Sequence, residues 1–312
     1  MIITVTPNPV LDRTMNVPQI VFNEMIRATD IREDWGGKGF NVSRALHELG
    51  AKSLAMGFVG GATGAKVEGG LHDLGIRTDL VPIDGETRTN VVITETDGER
   101  YVKVNEAGPT VTQDEVEIFF DQATKRARSG DLWALCGSLP PGVPLNFYAR
   151  LTTVLRERGA RVLLDASGEP FRLGVEAGPY LVKPNLAEAG AWMGRTIQSK
   201  AEAAGVVGAF LDWNVKLVAL SLGADGLMLA NRKERIWAKP PVIAERNPVG
   251  AGDALLAGLA WALERSMPLK DVARWAVATG TAAAAREGVS MGSRQEVEEV
   301  FEQVELVAWP ER

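Results

Sequence analysis

The sequence predicts an α/β protein: a three-layer α/β/α domain on a mostly parallel sheet, with a small antiparallel β-sheet inserted as a lid. Two observations carry this. Short apolar strand-like runs alternate with amphipathic helical patterns along most of the 312 residues, and strands separated by helices imply parallel pairing with helices on both faces. Two stretches break that alternation and read as extra antiparallel strands.

The strand-like runs are Ile2–Thr6, Leu54–Val59, Leu132–Cys136, Val162–Asp165, Leu181–Lys183 and Leu217–Leu220. The first helical pattern places Val42, Ala45, Leu46 and Leu49 at i, i+3, i+4 and i+7 and stops at Gly50. Further helices are predicted near 114–128, 144–158, 199–213, 253–265, 269–286 and 293–304. The rhythm breaks at Thr14–Trp35, which is strand-like, polar and interrupted by Pro18. It breaks again at Asn90–Asn105, where Asp97-Gly98 suits a type I′ hairpin turn. These segments, about 12–35 and 88–107 of a single domain spanning 1–312, form the expected lid over the carboxyl ends of the strands, where open α/β sheets bind ligands.

Composition narrows the function. A formal charge of −6 argues against general nucleic-acid binding. Two histidines make a His-based metal site or triad a poor expectation, and one cysteine allows no intrachain disulfide, as suits a reducing cytoplasm. No 18-residue apolar run appears, and the N-terminus lacks the pattern of a signal peptide, so neither a membrane span nor export is expected.

Four clusters carry candidate chemistry. In Asn247-Pro248-Val249-Gly250-Ala251-Gly252-Asp253, glycines lead into an amphipathic helix whose first amides form an anion site. Asp253 there either caps the helix or takes a proton from an attacking hydroxyl. The sequence has neither a third fingerprint glycine nor a P-loop. Trp35-Gly36-Gly37-Lys38-Gly39-Phe40-Asn41 pairs glycines with a cation and an amide before the first helix; it reads as an anionic-ligand site or as a tight turn with a solvated lysine. Arg88 in Glu86-Thr87-Arg88-Thr89-Asn90 is either a phosphate clamp or an ordinary surface arginine, and Arg27 and Lys103 are weaker candidates of the same kind. Asp12, after the first strand, either caps a turn or binds sugar hydroxyls.

Taken together, these residues resemble the ribokinase-like carbohydrate kinases, the PfkB family. The matching runs are TPNPVLD at 6–12, GGKGFNV at 36–42, ETRTN at 86–90, NEAGP at 105–109, CGSLPPG at 136–142, LLDASG at 163–168, LVKPNLAE at 181–188, SLGADG at 221–226 and NPVGAGDA at 247–254. They follow one another in order over nearly the whole chain. The opening run, GGKG, TR-x-N and NE-x-GP are most similar to the branch of 1-phosphofructokinase and tagatose-6-phosphate kinase.

The resemblance implies ATP-dependent phosphorylation of a ketohexose phosphate, fructose 1-phosphate to fructose 1,6-bisphosphate, with Mg²⁺. It makes Asp253 the general base and the amides of Gly250, Ala251 and Gly252 the anion hole. Asp12, Gly37, Lys38 and Asn41 would hold the sugar, with Ser138 beside it; Arg88, helped by Arg27, would hold its phosphate. Lys183, Asn185, Ser221, Gly223, Gly226, Gly280 and Ala284 would contact the nucleotide, and Glu188 would organise Mg²⁺ through water. A homodimer formed through the lid is the expected assembly. Two departures stand out: Cys136 replaces the usual serine, and Met25 stands where some 6-phosphofructokinases place a base, which weakens the fructose 6-phosphate reading. A ketohexofuranose bisphosphate is nearly two-fold symmetric, so tagatose-6-phosphate kinase and 6-phosphofructokinase stay open as alternatives. A kinase for nucleosides or unphosphorylated sugars, and a sugar sensor without catalysis, are the more distant rivals.

Overall fold

A computed structural model describes residues 1–96, 100–244, 249–286 and 290–310. In chain order the strands are β1 (Ile2–Thr6), β2 (Val10–Val17), β3 (Asp30–Gly36), β4 (Ser53–Val59), β5 (Arg77–Thr78), β6 (Val81–Pro82), β7 (Arg88–Glu95), β8 (Tyr101–Val104), β9 (Leu132–Cys136), β10 (Arg161–Asp165), β11 (Leu181–Val182), β12 (Leu217–Ser221), β13 (Leu227–Ala230), β14 (Arg235–Lys239) and β15 (Glu305–Val307). The helices are α1 (Lys38–Glu48), α2 (Gly61–Asp73), α3 (Gln113–Arg126), α4 (Phe147–Glu157), α5 (Gly168–Glu176), α6 (Leu186–Met193), α7 (Lys200–Asp212), α8 (Ala251–Glu264), α9 (Leu269–Ala284) and α10 (Arg294–Gln303).

The main sheet runs β15-β14-β13-β12-β11-β10-β9-β1-β4-β5, with β6 also on β4. From β12 to β5 every pairing is parallel; β13, β14 and β15 extend one edge in antiparallel fashion. The parallel strands are buried along their length because each feeds two cores by alternation. Trp133, Leu135, Val162, Leu164, Val218 and Leu220 enter one core, filled out by residues of α3, α4, α5 and α7. Leu132, Ala134, Leu163, Leu217 and Ala219 enter the other, under α1, α8, α9 and α10. The three layers are those expected.

The chain runs from β1 outward to β4 on one side, then returns to β9 and on to β12 on the other. The carboxyl ends beside β1 therefore flank the point where strand order reverses, the place where such sheets leave a crevice.

The second sheet has the order β3-β2-β7-β8. Its outer pairings are antiparallel, and its central β2–β7 pairing is parallel. The reason is topological: β2 follows β1 and β7 follows β6, so both leave the main sheet at the same edge and run outward together. The polar stretch from Thr14 to Trp35 is two strands, β2 and β3, joined through 18–29, and β2 begins earlier than the sequence pattern indicates. The hairpin strands lie where expected; the Asp97-Gly98 turn falls outside the described residues.

Trp35 anchors the base of this sheet on α2, lying so close to Gly70 that a Cβ there would sit 2.2 Å from the indole. The neighbouring Gly69 faces open space. Gly70→Ala should therefore cost about 1–3 kcal/mol in denaturant unfolding through overpacking. Gly69→Ala should gain up to about 1 kcal/mol from helix propensity. Equal effects at both positions would show that Trp35 is not held against α2.

Candidate active site

The carboxyl ends of four neighbouring strands gather the site. Asp165 ends β10 and is fully buried. Its Oδ1 accepts a hydrogen bond from Lys38 Nζ at 3.1 Å, and its Oδ2 is ion-paired with Lys183 Nζ at 3.0 Å. Lys38 opens α1 with a partly exposed side chain; Lys183, just after β11, is 4% exposed. Burial pushes the Asp165 carboxyl up, but Lys183 and Lys38 outweigh it and hold it below the usual range. Lys38 is shifted upward, by Asp165 foremost against the opposing effect of burial, with Asp253 and Glu188 adding.

Asp253 lies in the first turn of α8 and is 7% exposed. Asn41 Nδ2 donates to its Oδ2 at 2.8 Å. Its pKa is raised to about 6, chiefly by burial and then by Asp165, while Lys38, Asn41 and Lys183 act in the other direction. Gly250 caps this helix at φ 85, a left-handed conformation natural to glycine. The first intrahelical bond runs from Ala254 N to Gly250 O, so the amides of Ala251, Gly252 and Asp253 have no acceptor within the helix.

On one side of this helix end lies a pocket of about 420 Å³. Ala251 and Gly252 line it, together with Asn185, Ser221, Gly223, Gly226, Gly280 and Ala284. Lys183 lies beside the lining residue Gly252, its Nζ 3.7 Å from where a Cβ there would lie. Sequence reasoning did not single out the strap Pro240–Ile243 or Val277 and Thr281, which complete the wall.

On the other side, Asp12, Gly36 and Asn41 converge. A Cβ on Gly36 would stand 3.0 Å from Asp12 Oδ2 and 3.9 Å from Asn41 Oδ1. The far oxygen of Asp12 accepts from Asn90 Nδ2 at 2.9 Å. Asn41 Oδ1, Asn90 Oδ1 and Asn8 Oδ1 are buried without a hydrogen-bond partner in the protein, which leaves this recess with spare acceptors. Asn8 Nδ2 reaches Ala107 O at 2.9 Å and Ser138 Oγ at 3.4 Å, so Ser138 belongs to the same recess. Gly37, at φ 119, has Thr6 so near that a Cβ would fall 2.5 Å from its methyl group. Its glycine thus seats α1 against the end of β1.

Several candidates are held in ways the sequence did not indicate. Arg88 directs Nε to Pro9 O, Nη2 to Asn8 O and Nη1 to Glu106 O at 3.0–3.4 Å. It thereby pins the loop between β1 and β2, with two of its five donors left over. Asn185 and Glu188 form a reciprocal capping box on α6, and Glu188 uses Oε2 for it. Arg27 is not brought to the cluster within one chain. It is exposed in the connection beyond Val17, and the five residue steps of β2 from Asp12 to Val17 alone span about 16 Å. Lys103, on β8, is likewise exposed on the lid. Asp165 was overlooked as a site residue, although a lone Asp closing an apolar strand was a usable signal.

The chain matches the pfkB family carbohydrate kinase profile over residues 6–296. It is 32% identical over 306 residues to a 1-phosphofructokinase of Bacillus subtilis, covering 98% of this chain and 99% of that one. It is 36% identical over 281 residues to a 1-phosphofructokinase of Rhodobacter capsulatus, covering 89% and 88%. Among solved structures it resembles phosphofructokinase-2 from Escherichia coli in complex with potassium, with a TM-score of 0.93 and 28% identity over 97% of this chain and 98% of that chain. On this breadth of sequence and fold agreement, the chain belongs to the pfkB family of carbohydrate kinases.

Proposed function

We propose that the chain moves the γ-phosphoryl group of ATP onto a ketohexose phosphate, converting fructose 1-phosphate to fructose 1,6-bisphosphate. One observation carries the reading. Ala251 and Gly252 line the pocket, and the next residue, Asp253, is bonded to Asn41 in the polar recess. A phosphoryl donor and an alcohol would meet across a single helix end.

In this reading ATP lies in the pocket with its phosphates toward Lys183 and the α8 amides. The acceptor places hydroxyls on Asp12 and Asn41 and its own phosphate on the spare donors of Arg88. Asp253 takes the proton of the attacking hydroxyl as the new O–P bond forms; the bond from Pγ to the bridging oxygen breaks, and ADP carries away the electron pair. The α8 amides receive the charge on the transferring group. Among the described residues no cluster of three or more His, Cys, Asp or Glu could hold a metal alone. Mg²⁺ usually keeps its waters and bridges substrate phosphates, and Glu188, with Oε1 outside the capping box, fits such an outer partner. The ion would neutralise phosphate charge.

Fructose 1-phosphate is favoured because the relatives above are named for it; tagatose 6-phosphate and fructose 6-phosphate are the alternatives. Assembly as a homodimer through the lid fits the exposed Phe22, Met25, Ile31, Tyr101, Val102 and Val104, all on the second sheet or its connections. An exposed apolar patch of this kind marks an interaction surface, and in a dimer Arg27 would approach the partner. Of a neighbouring structure, E. coli phosphofructokinase-2, a tetrameric inhibited form is known.

ADP release should be fastest with fructose 1-phosphate when compared with fructose 6-phosphate, tagatose 6-phosphate, ribose and adenosine; release with none of the phosphorylated sugars rejects the reading. Asp253→Asn should lower kcat at least about 10²-fold while ATP and sugar still bind. The same change should stabilise the fold at pH 8. A carboxyl raised from 3.8 to about 6 contributes stability that is present below pH 3.8 and lost as pH rises through 6. The asparagine variant avoids that loss, a gain of about 1–3 kcal/mol at pH 8 that narrows toward pH 4. For the wild type, kcat/KM should fall about tenfold per pH unit below about 6. Because the substrate phosphate titrates nearby, the assignment is checked with Lys38→Met: loss of that cation should move the acid limb upward, which the substrate cannot do. Arg88→Ala should raise KM for the sugar phosphate at least about tenfold and leave KM for ATP unchanged. It should also destabilise the fold by about 1–3 kcal/mol, because three carbonyls lose a charged donor; Arg88→Lys should restore neither effect.

A further inference from the structure

Asp165 has no part in the reaction as described above, yet it is the most deeply buried charge in the site. Its two oxygens are divided between lysines of opposite function. Oδ1 holds Lys38, at the start of α1 on the acceptor side. Oδ2 holds Lys183, whose ammonium lies against Gly252 on the nucleotide side. We propose that Asp165 is a positioning residue that ties the acceptor lysine and the nucleotide lysine to one carboxylate, so that the two half-sites are aligned and share a single charge balance. The inference rests on the kinase reading and deepens it.

Three features support the assignment. The carboxylate is at zero exposure at the end of a central strand, so its place is fixed by the sheet and not by a mobile loop. Each oxygen of the carboxylate faces one ammonium, Lys38 at 3.1 Å and Lys183 at 3.0 Å, so the two cations share one counter-ion. The strand order also places β10 between β9, which leads to the Ser138 turn, and β11, which leads to Lys183. A carboxylate here stands between both halves.

The facing groups define what removal does. Around Asp253 stand Asp165, Lys38, Lys183 and the neutral Asn41. Glu188 acts on Lys38 from α6, and Cys136, opposite Asp165 on β9, is a neutral thiol pushed well up by burial. Without Asp165, Lys38 and Lys183 would remain beside Asp253 with no carboxylate bonded between them. They would favour its ionised form and would no longer be aimed at their separate halves.

The experiment is steady-state kinetics of full-length Asp165→Asn against pH, with fructose 1-phosphate and ATP. The proposal requires kcat to fall at least about tenfold and the acid limb of kcat/KM to move to lower pH, opposite to the shift in Lys38→Met. A lower kcat with an unmoved limb means a merely structural role and overturns it, as does unchanged kcat. Recovery of wild-type turnover at raised Mg²⁺ means the carboxylate works through the metal and also overturns it. If Asp165→Asn fails to fold, the charge-neutral pair Asp165→Asn with Lys38→Met replaces it. Its acid limb must then lie below that of Lys38→Met alone, and a limb at or above that value rejects the proposal. Failure of the kinase reading is separable, since wild type itself would then release no ADP with any phosphorylated sugar.

Discussion

Two carboxylates share one buried site, and the rest of the structure is arranged to make that tolerable. Asp165 and Asp253 are both buried, and each disfavours the charge on the other. Buried charges are costly unless paired at close range, and here the pairing comes from Lys38 and Lys183 at about 3 Å. The four groups come from α1, β10, the turn after β11, and α8. Their balance therefore holds only if these elements keep register with one another. Asp165 receives both cations and stays ionised; Asp253 receives only an amide and is left near pH 6, close to the working range of a base. The difference between the two acids is a difference in partners.

The same geometry explains why the second sheet and the polar recess are inseparable. Because β2 and β7 leave the main sheet together, their parallel register places Val10 opposite Arg88 and Asp12 opposite Asn90. The residues of the polar recess are thus the first residues of the lid strands. Arg88 draws the Asn8-Pro9 backbone and the Glu106 carbonyl into one knot, and Glu106 in turn accepts the Thr89 amide at 2.8 Å. A ligand that engages Asp12 or Arg88 acts directly on the base of the lid, the leverage that closure over a reacting centre requires.

Much of this was legible in the sequence for identifiable reasons. The parallel strands are unbroken apolar runs, and the long helices carry a clear period, so both are set by local pattern. Asn185, Ser221, Gly223, Gly226, Gly280 and Ala284, from separate motifs, meet in one pocket because glycine at a strand end answers to backbone geometry. What escaped detection depends on tertiary contacts. The edge strands β13 and β14, the glycine-rich helix α2 and the short helices α5 and α6 carry weak periodicity and form where the core accepts them. The glycines at 37 and 70 are required by Thr6 and Trp35, which lie far from them in the sequence or on another element. Arg88 reads as a free clamp in sequence because its carbonyl partners at 8, 9 and 106 come together only on folding. Arg27 reads as its helper because sequence does not reveal that β2 carries the connection away from the site.

Cys136 bears on the same balance. It lies directly opposite Asp165 in the β9–β10 register, at the position where the resemblance leads one to expect serine. A hydroxyl beside a buried carboxylate is a strong donor and would compete with the lysines for its oxygens. A thiol is a weak donor that packs as a small hydrophobe, and burial, with both aspartates adding, keeps this one neutral. Cysteine at this position therefore adds no strong donor to compete with Lys38 and Lys183 for the oxygens of Asp165.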